Sequence, residues 1–178
     1  MKGELLENRI VVWNIQESRN LFANGYFGKP IGIPKPNVND INVPLILDLI
    51  EGCYLQEISK IKITKNGKKV SLDTLIKICR KEYHNFDKKF QVYKDFREKG
   101  YVINPGIKFG GDFAVYQKGP GIDHAPYLVQ VYNKNDDISS TAVVLAGRLA
   151  SSVKKQFILA IPRDKDKIDY LALDWWRA

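Results

Sequence analysis

The chain has 178 residues, of which 44% are hydrophobic and 27% are charged. This size and composition fit one domain, or two small domains that share an interface, with enough apolar side chains for a core. The net charge of +8 favours a polyanionic partner, which means RNA, DNA or an anionic membrane. A solvated, lysine-rich surface of the kind found in thermophilic proteins is the alternative explanation for this charge.

A membrane role is the weakest of these three, because no apolar run in the sequence reaches the roughly 20 residues of a spanning helix. The first seven residues are too acidic and too poor in apolar residues for a secretory signal. Cys53 and Cys79 lack a metal-binding spacing, and each lies in an apolar pattern. They therefore predict buried thiols in a reducing cytoplasm.

The N-terminal part, residues 1–84, reads as a small mixed α/β domain without recognisable chemistry. A buried strand is predicted at residues 10–13, and the turn-rich segment that follows, as far as Gly32, predicts hairpins and turns. Apolar residues at helical spacing then predict a helix that starts near Pro44 and ends at Gly52.

Three further signals complete this N-terminal domain. Alternating Ile61 and Ile63 predict a strand, and Asn66-Gly67 is a strong tight-turn pair. Ser71 is a suitable N-cap for a second amphipathic helix.

The C-terminal part, residues 85–178, is predicted to be rich in strands. A helix over about residues 85–99, ending at Gly100, precedes it. The predicted strands lie at residues 101–103, 107–117, 127–132, 157–161 and 170–176. With one long helix over about residues 140–154, this order predicts an α+β or α/β domain, in which a central mixed sheet has a covering helix.

The long helix has a predicted apolar face and a basic flank. The apolar face consists of Ala142, Leu145, Ala146, Leu149, Ala150 and Val153. Arg148 and Lys155 are seven positions apart, so they are predicted to project within roughly 20° of each other on the side opposite the apolar face, separated by roughly 10 Å of rise. Two such cations could grip an RNA backbone and base, or they could belong to an ordinary solvated face with a lysine that suits the helix dipole.

Four segments of the C-terminal part carry a distinctive pattern: residues 92–103 (VYKDFREKGYVI), 106–116 (GIKFGGDFAVY), 123–129 (DHAPYLV) and 148–160 (RLASSVKKQFILA). Together they resemble the archaeal tRNA-splicing endonuclease family over about residues 85–178. The N-terminal half resembles that family only in its general arrangement.

This resemblance implies an endoribonuclease that needs no metal or other cofactor and cuts precursor tRNA at the two splice sites of a bulge-helix-bulge structure. The catalytic residues that it implies are Tyr116, His124 and Lys155. RNA supplies its own nucleophile, the ribose 2′-hydroxyl, so the products would be a 2′,3′-cyclic phosphate and a 5′-hydroxyl.

Each of the three groups suits one part of this reaction. An imidazole titrates near neutrality, so His124 can hold a proton for the departing 5′-oxygen. Tyr116 would be the base or the orienting group for the 2′-hydroxyl, and a phenol with an ordinary pKa near 10 needs a nearby cation to act as a base. Lys155 could be that cation and could stabilise the negative phosphoryl oxygens.

The resemblance also implies an RNA-binding pair and an oligomer. Two arginines, Arg148 and Arg177, would stack on a flipped-out bulge base, a use for which a planar guanidinium is well suited. The acidic turn with Asp136 and Asp137 would enter a basic pocket of a neighbouring subunit. A chain of this length is expected to form a homo-oligomer, or a heterotetramer with a structural subunit, and not to be the fused double-length form.

Each residue also has a purely structural alternative. His124 can be a surface residue of its loop, Tyr116 can cover a sheet face, and Lys155 can be a helix C-terminal cation. His84, the other histidine, lies at a helix entrance and is assigned no catalytic role.

Two rival functions remain open at this point. A metal-dependent nuclease could use Asp112 as its first ligand, but the next strand offers Gln130 and Tyr132 where a carboxylate and a lysine are needed. A non-catalytic subunit could use the basic surface only to hold structured RNA.

Overall fold

The computed structural model describes residues 1–34, 36–37, 41–106, 110–122, 124–152, 154–163 and 167–173, apart from the side chain of residue 150. The chain divides into two compact units, Met1–Phe86 and Asp87–Ala178. Each unit contains one mixed sheet and its helices, so the mixed α/β fold class predicted from the sequence is confirmed.

The N-terminal unit is built on a six-stranded sheet. In spatial order its strands are β3 (Lys29–Pro30), β4 (Leu45–Leu47), β2 (Arg9–Val12), β1 (Lys2–Leu6), β5 (Lys62–Lys65) and β6 (Lys68–Lys69). Its helices are α1 (Ile15–Ala23), α2 (Leu49–Glu57) and α3 (Leu72–Glu82). Strands β1 and β5 are parallel, and the other neighbouring strands are antiparallel. The Asn66-Gly67 turn and the Ser71 N-cap are found where the sequence predicts them.

The helix predicted between Pro44 and Gly52 is wrong at both ends. Leu45–Leu47 is a strand that pairs with β2, and α2 begins only after Asp48, which forms a capping box with Glu51. Gly52 lies inside α2. A Cβ there would clash with the Ile10 Cδ1 atom, so glycine permits the close approach of α2 to the sheet.

The segment predicted to contain only hairpins and turns includes α1. Asn14 caps this helix by accepting a 2.9 Å hydrogen bond from the Glu17 backbone N–H. Within α1, Leu21 and Phe22 are buried. A nine-residue helix with two buried apolar side chains gives a weak periodic signal, which explains why the sequence pattern missed it.

The C-terminal unit has a five-stranded sheet. In spatial order its strands are β11 (Ile168–Leu173), β10 (Gln156–Pro162), β9 (Tyr127–Val131), β8 (Phe113–Tyr116) and β7 (Val102–Pro105). Its helices are α4 (Phe86–Glu98) and α5 (Ser140–Ser152). Strands β9 and β10 are parallel, and the other neighbouring pairs are antiparallel. All five strands overlap the predicted ones, and the predicted strand residues 107–109 and 174–176 lie outside the described ranges.

Both faces of this sheet carry helix contacts. Ala146 and Leu149 of α5 pack against a cluster of Leu128, Phe157 and Leu159. Tyr93 of α4 contacts Phe113, which alternation places on the opposite face. The predicted covering helix is therefore α5, and α4 adds a second layer.

Among the described side chains of the predicted apolar face, one departs from its prediction; Val153 and the side chain of Ala150 lie outside the described part of the chain. Leu145, assigned to the apolar face, has 60% of its surface exposed.

Among the described helices of the chain, none combines the length and hydrophobicity needed to cross a bilayer.

Candidate active site

Tyr116 is the last residue of β8, at one end of the C-terminal sheet. Its neighbour Val115 pairs with Tyr127, the first residue of β9, and Tyr127 pairs with Gln156, the first residue of β10. Val115, Tyr127 and Gln156 thus form one row across the sheet. Tyr116 follows Val115 and Lys155 precedes Gln156, so both lie one residue beyond this row in the same direction, with β9 between them. Two strand spacings put their backbones about 10 Å apart, which two long side chains can bridge.

Lys155 lies in the link between α5 and β10, where its amine reaches the loop that precedes β9. The Nζ atom donates a hydrogen bond to the Ala125 carbonyl oxygen, and the Gln156 N–H donates one of 2.8 Å to the Pro126 carbonyl oxygen. Burial lowers the pKa of the Lys155 amine. The lysine is therefore held by the backbone next to His124, and its positive charge is partly desolvated.

His124 is exposed and lies in the loop between β8 and β9, immediately before buried Ala125. The loop turns with a hydrogen bond from the Ile122 N–H to the Gly119 carbonyl oxygen, at 3.1 Å. Gly121 has a φ of +89°, a conformation that glycine adopts without strain. The structure thus brings Lys155 to the backbone beside His124 and places Tyr116 at the same end of the sheet.

Arg148 is exposed on α5, one helical turn before the helix ends at Ser152. The prediction that Arg148 and Lys155 share one helical flank is wrong, because Lys155 lies beyond the helix. Lys154 has a φ of +53°, in the left-handed region that commonly follows a helix C-terminus. Since α5 leads through Lys154 into β10, its C-terminal end lies at the same end of the sheet as the three residues above.

The acidic turn lies after β9, at the opposite end of that strand from His124. Asp136 accepts hydrogen bonds from the Asn133 N–H, at 2.7 Å, and from the Asn133 side-chain amide. Its carboxylate therefore stabilises its own turn. Asp137 is exposed. Arg177 lies outside the described residues.

Asp112 holds the sheet to a helix. Its Oδ1 forms a 2.7 Å ion pair with Lys89 of α4, and its Oδ2 accepts 2.8 Å hydrogen bonds from the Gln130 side chain and the Val131 N–H. Both oxygens are therefore engaged by donors. Within the described ranges, no group of three or more His, Cys, Asp or Glu side chains is arranged to hold a metal ion.

Sequence reasoning missed two positioning contacts. The Ala125 carbonyl that holds Lys155 is a backbone group and leaves no signal in residue type. Asp112 was weighed only as a metal ligand, and its partners come from two separate segments of the chain, α4 and β9.

Comparisons with known proteins match both units. The model of the "tRNA intron endonuclease, catalytic C-terminal domain" matches residues 86–170, and the model of the "tRNA intron endonuclease, N-terminal domain" matches residues 1–76. A tRNA-splicing endonuclease of Sulfurisphaera tokodaii is 45% identical over 177 residues, and one of Hyperthermus butylicus is 42% identical over 178. A third, from Pyrobaculum islandicum, is 41% identical over 180 residues. Each of these alignments covers 98% of both chains.

Proposed function

Because the chain belongs to the tRNA intron endonuclease family and is a nuclease of tRNA intron excision, we propose that it cuts precursor tRNA at bulge-helix-bulge splice sites by 2′-hydroxyl transesterification. Tyr116, His124 and Lys155 are the proposed catalytic residues. The observation that carries the proposal is the Lys155 hydrogen bond to Ala125, the residue next to His124, at the sheet end where Tyr116 lies.

The chemical roles follow from charge and position. Tyr116 orients the 2′-hydroxyl and takes its proton as the oxygen attacks phosphorus. His124 donates a proton to the departing 5′-oxygen. The Lys155 ammonium stabilises the negative charge on the non-bridging oxygens, and its partial burial strengthens that interaction relative to one in open water. Bond formation to the 2′-oxygen and cleavage of the 5′-oxygen bond give a 2′,3′-cyclic phosphate and a 5′-hydroxyl.

The proposed RNA grip uses Arg148, whose exposed guanidinium lies near the same end of the sheet, together with Arg177. A guanidinium plane can stack on an unpaired base while its N–H groups bind phosphate. Replacing Arg148 with lysine keeps the charge but removes the planar surface. The R148K variant is therefore expected to lose affinity for the bulged RNA, while R148K and wild type retain similar affinity for a bulge-free duplex.

We also propose that the chain works as a homo-oligomer or as a heterotetramer with a structural subunit, because two cuts need two active sites. Strand β11 is an edge strand whose Leu171 is 52% exposed, which supports pairing with another chain. Asp137 is the proposed acidic contact. Native mass measurement of the protein, alone and after co-expression with host proteins, separates the two assemblies.

The test of the reaction is single-turnover cleavage of an end-labelled bulge-helix-bulge RNA in excess chelator. We expect cuts at both splice sites and cyclic-phosphate ends. An RNA with 2′-deoxyribose only at the two scissile nucleotides should bind and remain uncut. Loss of cleavage in chelator with recovery on adding Mg²⁺ would instead support a metal-dependent nuclease, and cleavage of the deoxy-substituted RNA would exclude 2′-hydroxyl attack.

A further inference from the structure

One face of the N-terminal sheet combines an exposed tryptophan with three exposed lysines. Lys2 pairs with Lys62 across β1 and β5, and the register of β1 with β2 puts Trp13, which follows β2, opposite Lys2. Lys69 of β6 pairs with Thr64, two residues from Lys62 and hence on the same face. We call Trp13, Lys2, Lys62 and Lys69 the aromatic-basic face.

The other face of the sheet is the one that meets α2. The close approach of Gly52 in α2 to Ile10 and Ile63 places those isoleucines on the helix-covered side. Lys62 and Thr64 flank Ile63 in β5, so alternation directs them to the opposite side. Lys65 and Lys68, which pair with each other, lie on the Ile63 side of the same hairpin.

Trp13 is unusual because its ring is exposed and its indole N–H is hydrogen-bonded. It has 53% of its surface exposed, and its indole Nε1 donates a 2.7 Å hydrogen bond to the Glu4 carboxylate. A hydrogen bond that favours one orientation of an exposed aromatic ring lowers the entropy cost of ordering that ring when a base stacks on it. Glu4 lies on the same face, since it pairs with Thr64 across β1 and β5, and its Oε2 atom accepts the indole hydrogen bond.

The lysines of this face have no acidic partners among the described residues. No ion pair of the described part of the chain involves Lys2, Lys62 or Lys69. The Glu17 carboxylate nearby accepts a hydrogen bond from the Lys2 backbone N–H, at 2.9 Å. From residue 58 to residue 72 the chain has five lysines and neither aspartate nor glutamate. The charge is thus available for an external polyanion.

We propose that the aromatic-basic face binds unpaired RNA, with one base stacked on Trp13 and the adjoining phosphates bound by Lys2, Lys62 and Lys69. Stacking on an aromatic ring beside a track of cations is how sheet surfaces hold single-stranded nucleic acid without reading its sequence. The identification of the ligand as RNA rests on the proposed function. The face is a second contact with the substrate, on a different unit from the catalytic residues, and it selects substrates with accessible unpaired nucleotides.

A simpler role for these lysines is to protect the edge strand β6 from pairing with other chains. That role does not require the exposed tryptophan and does not distinguish one face of the hairpin from the other. The two explanations therefore predict different results for lysines on opposite faces.

The experiment measures binding of the full chain to two labelled RNAs by fluorescence anisotropy, from about 50 to 200 mM salt. One RNA is an oligouridylate of about ten nucleotides, and the other is the bulge-helix-bulge RNA with both scissile nucleotides 2′-deoxy. The variants are Trp13→Ala, Trp13→Phe and the double variant Lys62→Gln/Lys69→Gln. The matched control is Lys65→Gln/Lys68→Gln, which removes the same charge from the same hairpin on its other face. Thermal unfolding of each variant reports its fold.

Trp13→Ala is expected to weaken oligouridylate binding about tenfold, and Trp13→Phe, which keeps an aromatic ring, by about twofold at most. For the oligouridylate, the plot of log affinity against log salt concentration has a negative slope. Lys62→Gln/Lys69→Gln should make this slope about 1.4 less steep, and the control should leave it near that of wild type. Equal effects of the two double variants, or unchanged binding by Trp13→Ala, would overturn the proposal. A Trp13→Ala protein that changes its oligomeric state but binds both RNAs normally would also overturn it, since the tryptophan would then be a protein contact.

The oligouridylate measurement does not depend on cleavage. Weaker oligouridylate binding by Trp13→Ala would support RNA binding by the aromatic-basic face even if the wild-type protein cut no RNA. If the Trp13→Ala protein cleaves normally and binds both RNAs as wild type does, the proposal that the aromatic-basic face binds RNA is overturned, and the proposed function stands.

Discussion

The Lys155 amine donates its hydrogen bond to the carbonyl oxygen of Ala125, which joins the start of β10 to the loop before β9. This contact couples the position of the proposed cation to the position of His124, one residue away. Burial, and not this hydrogen bond, lowers the pKa of Lys155, because the amine is partly removed from solvent.

The two neighbouring lysines in the link between α5 and β10, Lys154 and Lys155, provide a matched pair of variants. Lys155→Ala should reduce the single-turnover cleavage rate by about 10²- to 10³-fold, since it removes charge stabilisation of the transition state. Lys154→Asn removes the same charge at the adjacent position, and asparagine tolerates the left-handed backbone found there. We expect Lys154→Asn to cut within about twofold of wild type. Similar losses in both variants would mean that only the overall charge matters.

The acid role of His124 can be tested through the leaving group. His124→Ala should slow cleavage by about 10²- to 10⁴-fold on normal RNA, because the 5′-oxygen then leaves without a proton. If the bridging 5′-oxygen is replaced by sulfur, the leaving thiolate needs no proton and the defect should largely disappear. His84→Ala is the control, because His84 is an exposed residue of the turn between α3 and α4. A defect of His124→Ala that is equally large on the sulfur substrate would assign His124 a role other than the acid.

The pH dependence follows from the sign of the Lys155 shift. Burial lowers the pKa of this amine, so the charge is present below the lowered pKa and is lost as the pH rises through it, earlier than for an exposed lysine. Wild-type cleavage should therefore fall on the alkaline side, after subtraction of uncatalysed hydrolysis. Lys155→Arg should be slower but should lack this fall, because a guanidinium stays charged over that range. A parallel alkaline fall in both proteins would assign it to another group.

The stability of the C-terminal unit should depend on the Lys89 to Asp112 ion pair. Lys89 and Asp112 side chains are 20% and 12% exposed, and the paired Lys99 and Asp95 side chains are 54% and 26% exposed. Lys89→Gln should lower the free energy of unfolding by about 2 kcal/mol, since it leaves a mostly buried carboxylate without its cation. Lys99→Gln should cost less than about 1 kcal/mol. Denaturant unfolding measures both, and equal costs would show that burial does not set the strength of the Lys89 pair.

Local signals in the sequence predicted local structure well. The tight turn at Asn66-Gly67 and the N-cap at Ser71 depend on the conformations of a few adjacent residues, so both could be found without knowing the fold. Leu45–Leu47 could not be assigned in this way. Its apolar residues fit a helical pattern, but pairing with β2 and the capping box at Asp48 make it a strand followed by a helix start.

In the candidate site too, residue types could be assigned from the sequence, whereas their spatial arrangement depends on distant segments. The identities of Tyr116, His124 and Lys155 come from a resemblance between sequences, and they stay predictions until variants are measured. Their placement at one end of a sheet depends on the register of β8, β9 and β10, which are brought together from distant parts of the chain. The prediction that Arg148 and Lys155 share one helical flank was wrong, because α5 ends at Ser152 and hydrophobic periodicity does not show where a helix ends.

The most direct test of the account is a crystal structure of the full chain with a bulge-helix-bulge RNA that carries 2′-deoxyribose at the scissile nucleotides. We expect the Tyr116 phenol oxygen, a His124 ring nitrogen and the Lys155 Nζ atom to lie within about 3.5 Å of one scissile phosphate group or of the sugar carbon that would carry its 2′-hydroxyl. A scissile phosphate bound elsewhere on the chain, with these three groups too far apart to reach it together, would contradict the account.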